Sequence, residues 1–306
     1  MHRGWRFAVA CAIVVLIING ALRDGQRGSA QHPPWWSTNP VEVRYLPREP
    51  PLLPSEWMRS PETELRDGPL SEWSHGTAFS IDDQGGYVTA AHVTAGCSQL
   101  ALVSEQALAT HTLAATSVVT EMVLHVSADA SAVRTPLRAP PIDTAGDVQP
   151  QPGMVAYGYG YPHGEPGALR GEFVGRARGR AQSRPGAFPL FVWAMTQREP
   201  ASEQPLGGIS GGPLLSAAGQ VIGMVIGYPS ERRSLFVTTT MAPVREVSEI
   251  ADNDHGSGFY HTPVPDAQFA AYGAQLRKQG SVVPIVCHRA LATGAPTSGA
   301  RRRGAN

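Results

Sequence analysis

The sequence predicts an all-β protein, and three observations carry that expectation. Glycine and proline are both frequent, at 33 and 27 of 306 residues, which favours many turns over long helices. Short apolar runs recur from 73 onward, at 74–81, 87–91, 100–103, 118–126, 132–133, 155–159, 173–177, 190–195, 221–226 and 235–239. Each is of strand length and is closed off by Gly, Pro or polar residues, the pattern of a sandwich or of barrels. In that body of sequence only 243–251 reads as a helix.

Taken in order, the chain opens on a basic hexapeptide, Met1 to Arg6, followed by an almost wholly apolar run at 7–22. That pairing fits export through a membrane, so 1–30 is read as a signal peptide or a retained anchor. The body of the protein is then periplasmic or secreted, with 7–22 able to hold it in the inner membrane if it is not cleaved. Residues 31–68 carry repeated prolines and few apolar alternations, and read as an extended linker. Residues 69–251 read as the folded domain, and 252–306 as an extension ending in a disordered tail. Within that extension 265–278 suits a helix, and 281–287 suits a strand that docks back on the domain. Of three cysteines, Cys11 lies in the apolar run, leaving Cys97 and Cys287 as candidates for one disulfide in an oxidising compartment. The formal net charge is zero, so no general attraction to nucleic acid is implied.

The chemistry concentrates in Gly207-Gly208-Ile209-Ser210-Gly211-Gly212-Pro213. Glycines around a serine allow turns with positive φ that aim several backbone N–H groups at one spot beside the hydroxyl. Acyl transfer needs such an arrangement, with donors about 3 Å from the oxygen that becomes negative. A serine hydroxyl also needs a base, and the base an orienting partner. Among ten histidines His92 stands out, because it follows Thr89-Ala90-Ala91 at the end of an apolar strand.

Thr89-Ala90-Ala91-His92 together with Gly208-Ile209-Ser210-Gly211-Gly212-Pro213 resembles the chymotrypsin/trypsin-type serine peptidases, closest to their bacterial trypsin-like and Deg-type branch. Gly76-Thr77-Ala78-Phe79 and the run from Gly153 to Pro162 resemble the same branch. The resemblance covers about 73–251. It implies two six-stranded antiparallel β-barrels with a C-terminal helix, and a serine endopeptidase with its site between the barrels. By the same resemblance Ser210 is the nucleophile, His92 the base, and the N–H groups of Gly208 and Ser210 form the oxyanion hole. The acid is expected at Asp129, heading Asp129-Ala130-Ser131-Ala132-Val133, where a serine stands at a position the family fills with a small apolar residue. Asp143 and Asp147 are the alternatives.

Ile209 replaces the acid that in some members pairs with a newly cut N-terminus, so activation by that route is not expected. Gln204 and the edge Val225-Ile226-Gly227 are expected to shape a pocket for an uncharged side chain before the cut. The partner is a protein or peptide substrate; no cofactor, metal or nucleic acid is expected. The stretch after 251 looks too short and irregular for the peptide-binding domain that Deg-type proteases carry. Two rival readings remain. Gly-x-Ser-x-Gly also marks the α/β-hydrolase elbow, but a proline and a strand follow Ser210 where that elbow needs a helix. A catalytically inactive scaffold of the same fold is the other.

Overall fold

The structure is a computed structural model, and it describes residues 42–45, 59–65, 73–103, 123–126, 129–144, 148–181, 184–229, 232, 234–251 and 262–289. The apolar run 7–22, Asp147 and the arginine-rich end 294–306 lie outside the described residues. Among the described residues no helix is long and apolar enough to cross a membrane.

The elements run β1 (Glu42–Tyr45), β2 (Glu62–Glu64), β3 (Trp73–Ser80), β4 (Gly86–Ala90), α1 (Ala91–Thr94), β5 (Gln99–Leu102), β6 (Val123–Val126) and β7 (Ala130–Arg134). The second half continues with β8 (Val155–Gly160), a 3₁₀ turn (Pro162–Gly164), β9 (Gly167–Ala181), β10 (Arg184–Glu199), β11 (Pro213–Ser216), β12 (Val221–Gly227) and β13 (Leu235–Thr239). Helix α2 (Met241–Ala251), a second 3₁₀ turn (Asp266–Gln268), α3 (Phe269–Lys278) and β14 (Val282–His288) complete the order.

Two sheets form, as expected for an all-β protein. The first is a curled sheet of six antiparallel strands in the order β6-β7-β4-β3-β14-β5. The second runs β10-β13-β12-β11-β8-β9, and the β9–β10 pairing closes it into a six-stranded antiparallel barrel. Each sheet carries one further short strand. β1 lies parallel on β6, and β2 lies parallel on β9. Both come from the proline-rich stretch read as linker. Short edge strands are where such a sequence can still pair, because one side of their backbone asks for no ladder partner.

The hairpin between β3 and β4 is closed by Asp82. Its buried carboxylate accepts the N–H groups of Gln84 at 2.8 Å and Gly86 at 2.6 Å, an aspartate side chain standing in for a backbone turn. The β9–β10 hairpin is much longer than its apolar centres suggested, at 15 and 16 residues. Its centre packs the barrel core, where Phe173 meets Phe191 and Trp193 edge-on at 5.6 and 5.1 Å. The buried Trp193 indole donates to Thr238 Oγ1 at 3.1 Å. Its arms, rich in Gly and Arg, have no apolar alternation to betray them and are carried by the backbone ladder.

Helix α2 packs against β4 and β7 of the first sheet and β12 of the second. It buries Met241, Val244 and Val247 at helical spacing. Helix α3 buries Phe269 and Leu276. The turn before it is tied to the barrel by Asp266, which accepts from Arg170 Nε at 2.7 Å and Tyr157 Oη at 2.8 Å.

Strand β14 comes from the extension and is not peripheral. It lies between β3 and β5, with Ile285 opposite both Gly76 and Leu102. Val282, Val283, Ile285 and Cys287 are buried there. Cys287 is disulfide-bonded to Cys97, with Cα atoms 5.5 Å apart across a separation of 190 residues. Closing so long a loop removes freedom from the unfolded chain worth roughly 5 kcal/mol in the chain-entropy model. Reduction of the folded protein is therefore expected to lower the urea midpoint sharply, and Cys97→Ser with Cys287→Ser should reproduce that loss without added reductant. Unchanged midpoints in both would show that the bridge adds nothing to stability.

Candidate active site

Strand β4 is buried along its whole length and delivers the chain to His92. Its last residue, Ala90, pairs with Ala130 of β7, and the Ala91 N–H donates to the Asp129 carbonyl at 3.0 Å. His92 is the next residue, on the short helix α1, with an exposed side chain; Asp129 is half-buried. A second tie joins the same two segments: the Thr94 and Ser131 hydroxyls meet at 2.8 Å. This explains why a serine stands at 131. In this chain the position holds the histidine helix onto the strand that begins beside Asp129.

The serine segment reaches the same place from the second barrel. The Thr77 N–H donates to the Ser210 carbonyl at 2.8 Å. A Cβ on Gly76 would come within 2.9 Å of that carbonyl and within 2.7 Å of both methyls of Val93, the residue after His92. Gly211, at φ +91°, is pressed against Thr77 O, Thr89 Oγ1 and, at 3.0 Å, the Ala90 nitrogen, so no side chain fits there. The glycines thus set Ser210 against the end of β4, and the segments bearing His92, Asp129 and Ser210 converge. The Ser210 hydroxyl lies 3.4 Å from the Ile226 carbonyl, to which it donates.

The backbone donors of this loop divide cleanly. Ile209 N–H donates to Leu206 O at 3.1 Å, Gly211 N–H to Val225 O at 2.7 Å, and Gly212 N–H to Ile209 O at 2.9 Å. The N–H groups of Gly208 and Ser210 have no acceptor among the described residues. Two donors on either side of Ile209 are thus left for a ligand.

Several groups the sequence did not nominate hold this loop. Thr77, buried on β3, donates through Oγ1 to Gly208 O at 2.9 Å and accepts the Tyr161 N–H at 3.0 Å. His75, two residues earlier, places its ring against Gly208. The protein around it, and then the nearby His163, hold its pKa below the ordinary 6.5, so the imidazole stays neutral to lower pH than a free one. From the other side the buried Arg289 reaches α1. Its guanidinium donates to Ala95 O at 2.7 Å, to Val93 O at 3.4 Å and to Ser74 Oγ at 2.9 Å. None of these contacts has a local sequence signature, because each joins residues far apart in the chain.

The remaining nominated residues fall as follows. Asp143 is buried, accepts Gln220 Nε2 at 3.0 Å and takes the Val221 N–H on its carbonyl at 2.8 Å, so it anchors the β11–β12 turn. Gln204 lines a cavity of about 340 Å³ with Met195, Arg198, Glu203, Leu206 and Tyr228. Val225 and Ile226 are buried in the cores. Their carbonyls, not their side chains, face the serine loop. Gly227 turns there with φ +150°, and Tyr228 after it lines the cavity. Burial lowers the pKa of Arg198, whose guanidinium donates to the carbonyls of Ser202 and Gln204. Two charged residues, Arg198 and Glu203, border this cavity. Among the described residues no cluster of His, Cys, Asp and Glu is placed to hold a metal.

Replacing Thr77 by the isosteric Val would leave the Tyr161 N–H and one Gly208 carbonyl bond unmade in a buried place. The cost is about 1–3 kcal/mol for each partner left unpaired. Thr77→Val should therefore unfold at clearly lower urea than the wild type while keeping its β-sheet circular dichroism; an unchanged midpoint would show that Thr77 does not hold the loop.

The model of the trypsin-like peptidase domain matches residues 76–224. No curated protein matches the chain. Among solved structures, the protease Rv3671c from M. tuberculosis in its active form is 22% identical, over 62% of this chain and 76% of that one, with a TM-score of 0.43. The HtrA-type protease AlgW, solved with a decapeptide, is 19% identical over 60% of this chain and 52% of its own, with a TM-score of 0.41. The serine endoprotease from Yersinia pestis is 14% identical over 61% and 69%, also at 0.41. The domain match takes in both the Thr-Ala-Ala-His and the Gly-Ile-Ser-Gly-Gly-Pro segments, so that over residues 76–224 the chain is similar to a trypsin-like peptidase domain.

Proposed function

We propose that the protein is an exported endopeptidase that cleaves peptide bonds through His92, Asp129 and Ser210. In this reading Ser210 Oγ attacks the scissile carbonyl carbon while His92 takes its proton. The carbonyl oxygen, now an anion, is met by the N–H groups of Gly208 and Ser210. Collapse of the tetrahedral species breaks the C–N bond, and His92 passes the proton to the leaving amine. Water, deprotonated by His92, then releases the acyl group and restores the hydroxyl. Asp129 keeps the imidazole in the required tautomer and offsets its charge when it is protonated.

The observation that carries this reading is the pair of unpartnered N–H groups flanking Ile209, on a loop seated against the strand that leads to His92. Preorganised donors of that kind supply a large share of catalysis in acyl transfer. The cavity beside 204–206 would take the side chain that precedes the cut. Export is supported by the basic start, the apolar run 7–22 and the Cys97–Cys287 bridge, since disulfides persist in oxidising compartments. The apolar run would be cleaved as a signal or kept as an anchor in the inner membrane.

Labelling with a serine-directed phosphonate, followed by peptide mapping, should place the adduct on Ser210, and Ser210→Ala should abolish both label and peptidase activity. Asp129→Asn should lower kcat by about 10⁴ with the protein still folded. A folded wild-type protein that takes no label would instead be an inactive scaffold, and an Asp129→Asn enzyme near wild-type rate would move the acid elsewhere.

A further inference from the structure

We propose that His163 is a positioning residue for the oxyanion hole: its backbone N–H and its ring together hold the Gly207–Gly208 peptide in the orientation that presents the Gly208 N–H. This rests on the reading of Gly208 and Ser210 as the oxyanion donors.

The argument begins with the peptide unit. In a trans peptide the carbonyl and the N–H point to opposite sides. The carbonyl of Gly207 accepts the His163 N–H at 2.5 Å. The N–H of the same peptide unit, that of Gly208, is thereby turned away from His163, to a side where it has no acceptor among the described residues. Rotating this peptide by half a turn would remove the donor from the hole, replace it with a carbonyl and break the bond to His163.

Glycine at 208 makes such a rotation sterically open, so something must fix the outcome. Its φ is +97°, and a Cβ there would meet Tyr161 O at 2.5 Å, the His75 ring at 2.8 Å and the His163 nitrogen at 3.1 Å. The following peptide is already held, since Thr77 Oγ1 donates to Gly208 O at 2.9 Å. The preceding peptide depends on His163.

His163 is itself held in an uncommon state. It sits in the 3₁₀ turn between β8 and β9 with φ 56° and ψ 26°, and among the described residues it is the one non-glycine with positive φ. A residue with a Cβ adopts this region only when its surroundings compensate. The compensation is visible. The ring Nε2 is hydrogen-bonded to the Pro205 carbonyl, two residues before Gly207. A carbonyl only accepts, so Nε2 carries the proton. The side chain therefore grips the start of the loop while the backbone of the same residue grips its middle. The turn is tied back to the first sheet by the Tyr161 N–H on Thr77 Oγ1, the hydroxyl that also holds Gly208 O.

Steady-state kinetics on a peptide anilide cleaved by the wild-type enzyme test the assignment, with Ser210→Ala as the reference for the underlying reading. His163→Ala removes the ring bond and disfavours the left-handed turn. Its kcat should fall about 10- to 100-fold with KM within about twofold, less than the 10²–10³ lost with a whole oxyanion donor. Affinity for a peptide aldehyde, whose adduct with a serine puts an oxyanion in the hole, should fall in parallel with kcat/KM. Affinity for the corresponding unreactive peptide amide should not change.

His163→Gly keeps the turn accessible without the ring and guards against misfolding of the alanine variant; it should lose at least about fivefold in kcat. His163→Asn, which tolerates left-handed φ and offers an N–H, should recover to within about threefold of wild type. Wild-type kcat in both the Ala and Gly variants, with Ser210→Ala inactive, would overturn the assignment while leaving the nucleophile in place. A rise in KM alone would overturn it too, making His163 a pocket residue. Activity surviving in Ser210→Ala would instead remove the reading beneath it.

Discussion

The structure depends on one close approach: the backbone of β3 at Gly76-Thr77 against the backbone of the loop from Gly208 to Gly211. The Thr77 amide holds the Ser210 carbonyl and its hydroxyl holds the Gly208 carbonyl. Gly76 and Gly211 supply the room, since a Cβ on either would overlap atoms of the other segment or of the neighbouring residues. A strand of the first sheet and a loop of the second barrel are thereby fixed at main-chain distance. Main-chain bonds between two buried segments lose their full solvation if broken, so the contact resists small displacements better than exposed side-chain pairs would. Holding groups from two different sheets in one fixed geometry asks for that stiffness.

Packing around this approach reinforces it from both sides. Helix α2 leans on β4, β7 and β12, so a single buried stripe of Met241, Val244 and Val247 touches both sheets. Asp266 fastens the turn before α3 to Tyr157 and Arg170 of the second barrel. The Arg170 guanidinium first, and then the Tyr157 hydroxyl, hold the Asp266 carboxyl below its ordinary range. That contribution is present above the pKa of the unfolded carboxyl and fades as pH falls through the lowered value.

The local motifs were legible because their chemistry is written in adjacent residues. Glycines bracketing Ser210, small residues before His92 and the Asp82 to Gly86 turn each state a backbone demand within a few positions. The all-β class followed from the punctuation of short apolar runs. What could not be read was everything set by pairing across the chain. The proline-rich stretch hid β1 and β2, whose partners are 81 and 116 residues away by their registers at Glu42–Val123 and Glu62–Arg178. The arms of β9 and β10 lack alternation because they lean on each other's backbone. Ser131 looked like a departure from the family pattern and is a tie to Thr94. His163 and Arg289 carry no motif at all; their roles exist only once Gly207 and Ala95 lie beside them.

Strand β14 has a consequence for the order in which the molecule can become competent. In the first sheet β14 has β3 on one side and β5 on the other, and the strand that joins them is made of residues 282–288. The arginine that braces the histidine helix comes one residue later, at 289. A nascent chain that has emerged as far as the Ser210 loop therefore lacks the strand that joins β5 to β3, and its histidine helix lacks its brace. Completion waits on residues 282–289, which follow the Ser210 loop in the sequence. The first sheet therefore cannot close around the His92 segment until that late strand has joined it.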